Sequence, residues 1–94
     1  MKLVIVSHRG APRVPEDQRA QNQRDWVLWM ENLNERSGLR ARGSKTVSSL
    51  GIADYSGDSA GLSIIEVPSL DEAVERILAC PGLPYGWAFD VLYE

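Results

Sequence analysis

An α+β fold, with two helices laid on one face of an antiparallel sheet, is what this sequence predicts. Three observations predict it. Short β-branched runs stand near both ends of the chain, two helical patterns separate the strands, and the order reads β-α-β-β-α-β. That order is the split βαβ or ferredoxin-like arrangement, here filling a single domain over residues 1–94.

The first strand is Leu3 to Ser7, apolar at Leu3, Val4, Ile5 and Val6. The opening Met1-Lys2-Leu3 looks like the start of a leader but turns polar at Ser7-His8-Arg9, so it reads as a strand. Gly10-Ala11-Pro12 ends it. A first helix is expected from about Pro15 to Arg36. Proline suits its start, and Glu16 and Asp17 oppose the positive end of the helix dipole. Trp26, Val27, Trp29, Met30 and Leu33 recur in steps of three and four and form its apolar stripe, while the turns before them are polar. Gly38 is the expected stop.

Leu39 to Leu50 alternates weakly and carries Arg40, Arg42 and Lys45, the pattern of a strand guarded by charge at a sheet edge. The Gly-, Ser- and Asp-rich stretch from Gly51 to Gly61 reads as a loop or hairpin connection. Leu62 to Val67 is the next strand. Ser69 with Glu72 gives a capping box for the second helix, whose stripe is Leu70, Ala73, Val74, Ile77 and Leu78. Cys80-Pro81 stops it. Tyr85 to Tyr93 is the last strand, with Trp87, Phe89, Val91 and Tyr93 on one side and Asp90 on the other.

Composition excludes several classes. The formal net charge is −3 with no run of Lys or Arg, which argues against nucleic acid and anionic membrane as partners. The apolar runs are too short to span a bilayer. A lone cysteine forms no internal disulfide and fits a reducing cytoplasm.

Two helices cover one sheet face only, yet both faces of the first and third strands are apolar. A twin sheet packed about a two-fold axis is the expected cover, giving a homodimer with a space between sheets. The aromatic side of the last strand is expected under the helices, with Asp90 facing the space.

At this point the residues resemble a known family. The stretches "WVLWMENLNERSGL", "SLDEAVERILACPGL" and "YGWAFDVLYE" are similar to the YCII-related family, in its branch of DGPF-domain proteins. The resemblance covers nearly the whole chain. It implies a ferredoxin-like subunit that pairs as a dimeric α+β barrel, in a group whose related barrels include cofactor-free monooxygenases, lactone isomerases and cyclases. The DGPF tetrapeptide is missing, with "DYSGDSAG" in its place. The family's pairing of a first-helix His with an Asp does not carry over, because the sole His is His8. Asp90 alone matches a family position, that of the final-strand acid.

The candidate site residues follow. His8, on the side of Val4 and Val6, can exchange a proton near neutral pH; its plain alternative is a strand-end cap. Asp90 must reach water, pair with Arg9, Arg24 or Arg40, or have a task. Trp26 and Trp29 could wall a pocket for a flat ligand or serve as core anchors. His8 and Asp90 are thus the candidate proton-transfer groups, and Trp26, Trp29 and Arg9 the candidate ligand contacts. Cys80 has no evident cationic neighbour and is expected to pack. Asp54, Asp58 and Glu66 lack the spacing of a known metal motif, and there is no phosphate loop or nucleophile elbow, so no metal or other cofactor is expected. Three readings stay open: a cofactor-free enzyme on a small organic molecule, a metabolite-binding module, and a pure assembly role.

Overall fold

The computed structural model describes residues 1–10, 13–54 and 57–94. Ala11 and Pro12, part of the expected first stop, and Tyr55 and Ser56, in the expected loop, lie outside the described residues. The α+β fold stands as expected. Four strands form one antiparallel sheet: β1 (Lys2–His8), β2 (Glu35–Arg40), β5 (Ser59–Glu66) and β6 (Ala88–Leu92), in the order β2-β5-β1-β6. Helices α1 (Arg19–Asn32) and α2 (Leu70–Leu78) cover one face. Neither helix is long and apolar enough to cross a membrane.

The faces follow from the period of two. Leu3 and Ile5 of β1 meet Ile65 and Ser63 of β5 across the ladder, and all four are buried under the helices with Trp29, Leu33, Ala73 and Ile77. Phe89 and Val91 of β6 pack against the same core, whereas Tyr93 stays exposed. Val4 and Val6, alternating with the core residues, lie on the uncovered face with Ile64, Leu62 and Leu92.

Several boundaries differ from expectation. The first helix is shorter: Glu16–Gln18 form a 3-10 turn, and α1 begins at Arg19. It ends before Gly38 is reached, because Asn34 adopts the left-handed conformation at φ 61° that stops a helix, and its Nδ2 donates to the Glu66 carbonyl at 2.8 Å. Gly38 instead lies within β2. Val27 is displaced from the expected stripe and points outward.

The expected single strand over 39–50 is divided. Its first part belongs to β2. Its remainder forms a separate hairpin, β3 (Lys45–Ser48) with β4 (Gly51–Asp54), closed by a Lys45–Asp54 ion pair. Ser69 caps α2, accepting from the Glu72 N–H at 3.2 Å. The other half of the capping box is absent, since the Glu72 carboxylate takes Arg76 one turn on, at 2.7 Å. The last strand starts late: Leu83–Tyr85 form a 3-10 turn, ended by Gly86 at φ 83°, a conformation that favours glycine.

The two helices are tied by Trp29, whose indole Nε1 donates to the Arg76 carbonyl at 2.6 Å. Arg76 Nη1 donates in turn to the Leu33 carbonyl at 3.4 Å. The polar early turns of α1 have their own use, as Asn22 donates to the Pro81 carbonyl and Gln18 accepts from the Tyr85 hydroxyl.

Candidate functional site

At the β1 C-terminal end of the uncovered face, His8 gathers two acidic groups. His8 ends β1 and pairs with Ala88 of β6, so Asp90 stands diagonally across on the same face. Beyond Ser7 the ladder to β5 skips a residue, a β-bulge, and the chain before β5 brings Asp58 to the other side of the ring. The Arg9 N–H donates to the Asp58 carbonyl at 2.7 Å and fixes that approach.

The imidazole therefore lies between two carboxylates. His8 Nε2 is 2.8 Å from Asp90 Oδ2, and His8 Nδ1 is 2.9 Å from Asp58 Oδ1. The ring is largely covered, at 23% exposed, while both acids are mostly open to solvent. A neutral imidazole has a single N–H and can donate to one acid only; the imidazolium donates to both. The hydrogen bond to Asp90, then that to Asp58, hold the His8 pKa above its ordinary value, against a smaller opposing effect of burial. The cluster favours the protonated ring and presents its proton at an open sheet face.

The sequence reading brought His8 and Asp90 to one face, where they are in contact. It offered Arg9, Arg24 and Arg40 as partners for Asp90; the partner is His8. Arg40 pairs with Glu35, Arg24 bonds Gln21, and the Arg9 guanidinium bonds only the Ala41 carbonyl, at 3.5 Å, among the described residues. Asp58 was missed as a site residue. Its one sequence signal is its place in a Gly- and Ser-rich stretch, which says nothing of where the bulge would carry it.

Trp26 and Trp29 do not share a space with His8, which corrects their expected role as walls around it. The sheet stands between. They line a cavity of about 270 Å³ on the covered face, roofed by α1 and closed by Trp87 and Phe89, with Ile5, Ser7 and Ser63 on its floor. The rings meet at angles: Trp26 is 5.5 Å from Trp29 and 5.0 Å from Trp87, and Trp29 is 5.6 Å from Phe89. A methyl group on Gly82 would lie within 2.9 Å of the Trp87 ring and collide with Trp26, so the aromatic wall needs glycine there.

Cys80 is buried in the core. Burial raises its pKa, partly offset by hydrogen bonds from the Gly82 and Leu83 backbone, which makes it a packing thiol. Among the described residues no group of three His, Cys, Asp or Glu is placed to hold a metal ion.

No family model matches this chain, and no curated protein matches it. A solved structure does: the 5-chloro-2-hydroxyhydroquinone dehydrochlorinase (TftG) from Burkholderia phenoliruptrix AC1100, in complex with 2,5-dihydroxybenzoquinone. The likeness covers 100% of this chain and 93% of that one, with a TM-score of 0.62 at 19% sequence identity. At that identity it establishes a shared fold.

Proposed function

We propose that this chain is a YCII-like cytoplasmic homodimer whose open sheet faces meet, and that the enclosed space hosts a cofactor-independent proton transfer on a small organic molecule. The observation that carries the reading is His8 held on both ring nitrogens by Asp90 and Asp58.

The chemistry follows from that placement. The two carboxylates favour the imidazolium, which donates from both ring nitrogens and serves as a general acid. A bound molecule reaches the ring when one carboxylate turns aside, which their exposure allows; the other keeps the imidazole oriented. After donation the neutral ring is the base for the return step, and Asp90 is a second proton acceptor within reach. Arg9, next in the chain and weakly engaged, is available to an anionic substituent.

The homodimer is supported by the uncovered apolar face. Val4, Val6 and Ile64 are half-buried without any cover, and Leu39, Leu62 and Leu92 are exposed beside them. A second copy of the same face is self-complementary about a two-fold axis. It would also dry the His8 cluster, where its hydrogen bonds strengthen. The fold neighbour's hydroxylated single-ring ligand supports a substrate of that size.

The test is turnover of hydroxylated and halogenated single-ring compounds by the wild type, His8→Ala and Asp90→Asn. Loss of a general acid lowers the rate by roughly 10²–10⁴-fold. Wild-type turnover that survives His8→Ala in a folded protein refutes the assignment.

A further inference from the structure

The ends of β1 and β2 converge on the start of β5, and the backbone there is firmly held. The Arg9 N–H donates to the Asp58 carbonyl at 2.7 Å, and the Ala41 N–H donates to the Ala60 carbonyl at 2.9 Å. Between these segments lies a small pocket of about 130 Å³, lined by Arg9, Arg42, Gly43, Ser44 and Gly57 among others. The charged residues on its wall are both cations. The stretch from 36 to 45 holds Arg36, Arg40, Arg42 and Lys45 and no acid, in a chain whose net charge is −3.

Two features of this pocket are not explained by folding. The first is its arginines. Arg40 is paired with Glu35 and Lys45 with Asp54, but among the described residues neither Arg9 nor Arg42 has an ion pair. Arg9 makes one long hydrogen bond, from Nη2 to the Ala41 carbonyl at 3.5 Å. Asp58, the neighbouring acid in the chain, does not neutralise them, because its carboxylate is held on His8 Nδ1 at 2.9 Å. Two like charges on one pocket wall repel until an anion lies between them. The second feature is Gly43. It is not among the glycines of positive φ, and a methyl group on it would meet nothing within 4 Å beyond its own chain neighbours. Neither conformation nor packing demands glycine there, whereas bare backbone lets a ligand come close.

We propose that this pocket binds a phosphoryl group between the Arg9 and Arg42 guanidiniums, with the Ser44 hydroxyl and the bare backbone of Gly43 completing the cradle. A guanidinium is a permanently charged planar fork that grips two oxygens at once. A planar carboxylate is satisfied by one such fork. A tetrahedral group offers oxygens to two forks and a hydroxyl from different sides. The pocket is smaller than the roughly 150 Å³ that admits benzene, so it takes a compact anion and leaves any organic remainder outside. Free phosphate and a phosphorylated small molecule present that same group. Arg42, Gly43 and Ser44 have no part in the proposed proton transfer, and Arg9 alone is shared with it.

Phosphate, phenyl phosphate and acetate are titrated into the folded protein at fixed ionic strength, and the Gly43 and Ser44 amide signals are followed in ¹H–¹⁵N correlation spectra. Both phosphates move those signals saturably, and acetate, engaging one fork rather than two, binds roughly tenfold more weakly. Equal affinity for the two phosphates assigns the pocket to the free ion, and tighter binding of the ester assigns it to a phosphorylated molecule. Arg42→Gln and Arg9→Gln each weaken phosphate binding roughly 10- to 100-fold, the loss expected for hydrogen bonds to a charged group. Both side chains are exposed, so these variants fold. Arg36→Gln makes the same change in net charge outside the pocket and weakens binding less than about twofold. Asp90→Asn keeps phosphate binding while it removes turnover, which separates this site from the proposed reaction. Amide signals that do not move, acetate bound as tightly as phosphate, an Arg36→Gln loss equal to that of Arg42→Gln, or loss of phosphate binding in Asp90→Asn overturns the proposal.

Discussion

Replacing Trp29 by phenylalanine tests how the two helices are joined. The indole Nε1 donates to the Arg76 carbonyl at 2.6 Å from a side chain that is only 8% exposed. The substitution removes that donor. The carbonyl is not orphaned, because it also accepts from the Ala79 N–H at 3.3 Å, so the loss is that of one ordinary hydrogen bond, about 1 kcal/mol. The smaller ring also gives up burial and leaves room against Leu33 and Phe89, adding roughly 1–2 kcal/mol. The expected sum is about 2–3 kcal/mol, a fall in Tm of roughly 10–20 °C for a domain of this size. Urea unfolding followed by far-ultraviolet circular dichroism measures it, with an unchanged m-value as the check on two-state behaviour. Trp26→Phe is the control. Its indole makes no hydrogen bond to the described residues and it is less buried, so it should cost about 1 kcal/mol less than the Trp29 change. Equal costs for the two variants would refute the claim that the Trp29–Arg76 bond couples α1 to α2.

Other expectations follow from single features. His8 is the only histidine, so its proton NMR titration is unambiguous; Asp90→Asn should lower its pKa more than Asp58→Asn does, since the Asp90 hydrogen bond is the larger cause of the upward shift. Because that pKa is raised on folding, the His8 contribution to stability is complete below about pH 6.5 and is lost as pH rises through the folded-state value. Urea midpoints across pH 5–9 should show this loss, and His8→Gln should remove it. Ser69→Ala should cost about 1 kcal/mol by taking the cap from the Glu72 N–H, read by thermal unfolding. Val6→Lys, in the middle of the open face, should turn a dimer into a folded monomer in sedimentation velocity; a wild type that already sediments as a monomer would sink the twin-sheet reading.

What could be read from the sequence was whatever depends on period. Alternation in β1 and β5 set which residues share a face, and it brought His8 to the side of Val4 and Val6, where it meets Asp90. The α2 stripe was legible at Leu70, Ala73 and Ile77 for the same reason. Features that depend on single conformations were not legible. Asn34 ends α1 by adopting a positive φ that many asparagines never adopt, so Gly38 looked the better stop. The hairpin of β3 and β4 is a local pairing of Val47 with Ile52, both exposed, and a weakly alternating segment does not announce whether it joins the main sheet. Asp58 reaches His8 through a bulge, which has no periodic signature. The tryptophans were recognised as pocket walls or anchors, but the side of the sheet they occupy depends on where α1 lies.

The same alternation keeps two chemistries apart. Ser7 and Phe89 are paired across β1 and β6 and serve the apolar cavity, while the very next residues, His8 and Asp90, serve the open face. A slip of β6 by one residue would exchange the faces, driving the Asp90 carboxylate among the tryptophans and Phe89 into the open. A carboxylate there would have no cation at hand, since Arg40 is taken by Glu35, and burying it unpaired is prohibitive. The chain also blocks the slip at its turn. Gly10 lies so close to the Tyr85 carbonyl and the Trp87 nitrogen, the latter 2.6 Å from where a methyl group would be, that only glycine fits. Gly10→Ala should therefore disturb both sites at once, moving the Trp87 indole signal and the His8 titration in one variant. A change confined to one of them would mean that the two faces are set independently, and that the register of β6 is held by something other than this close approach.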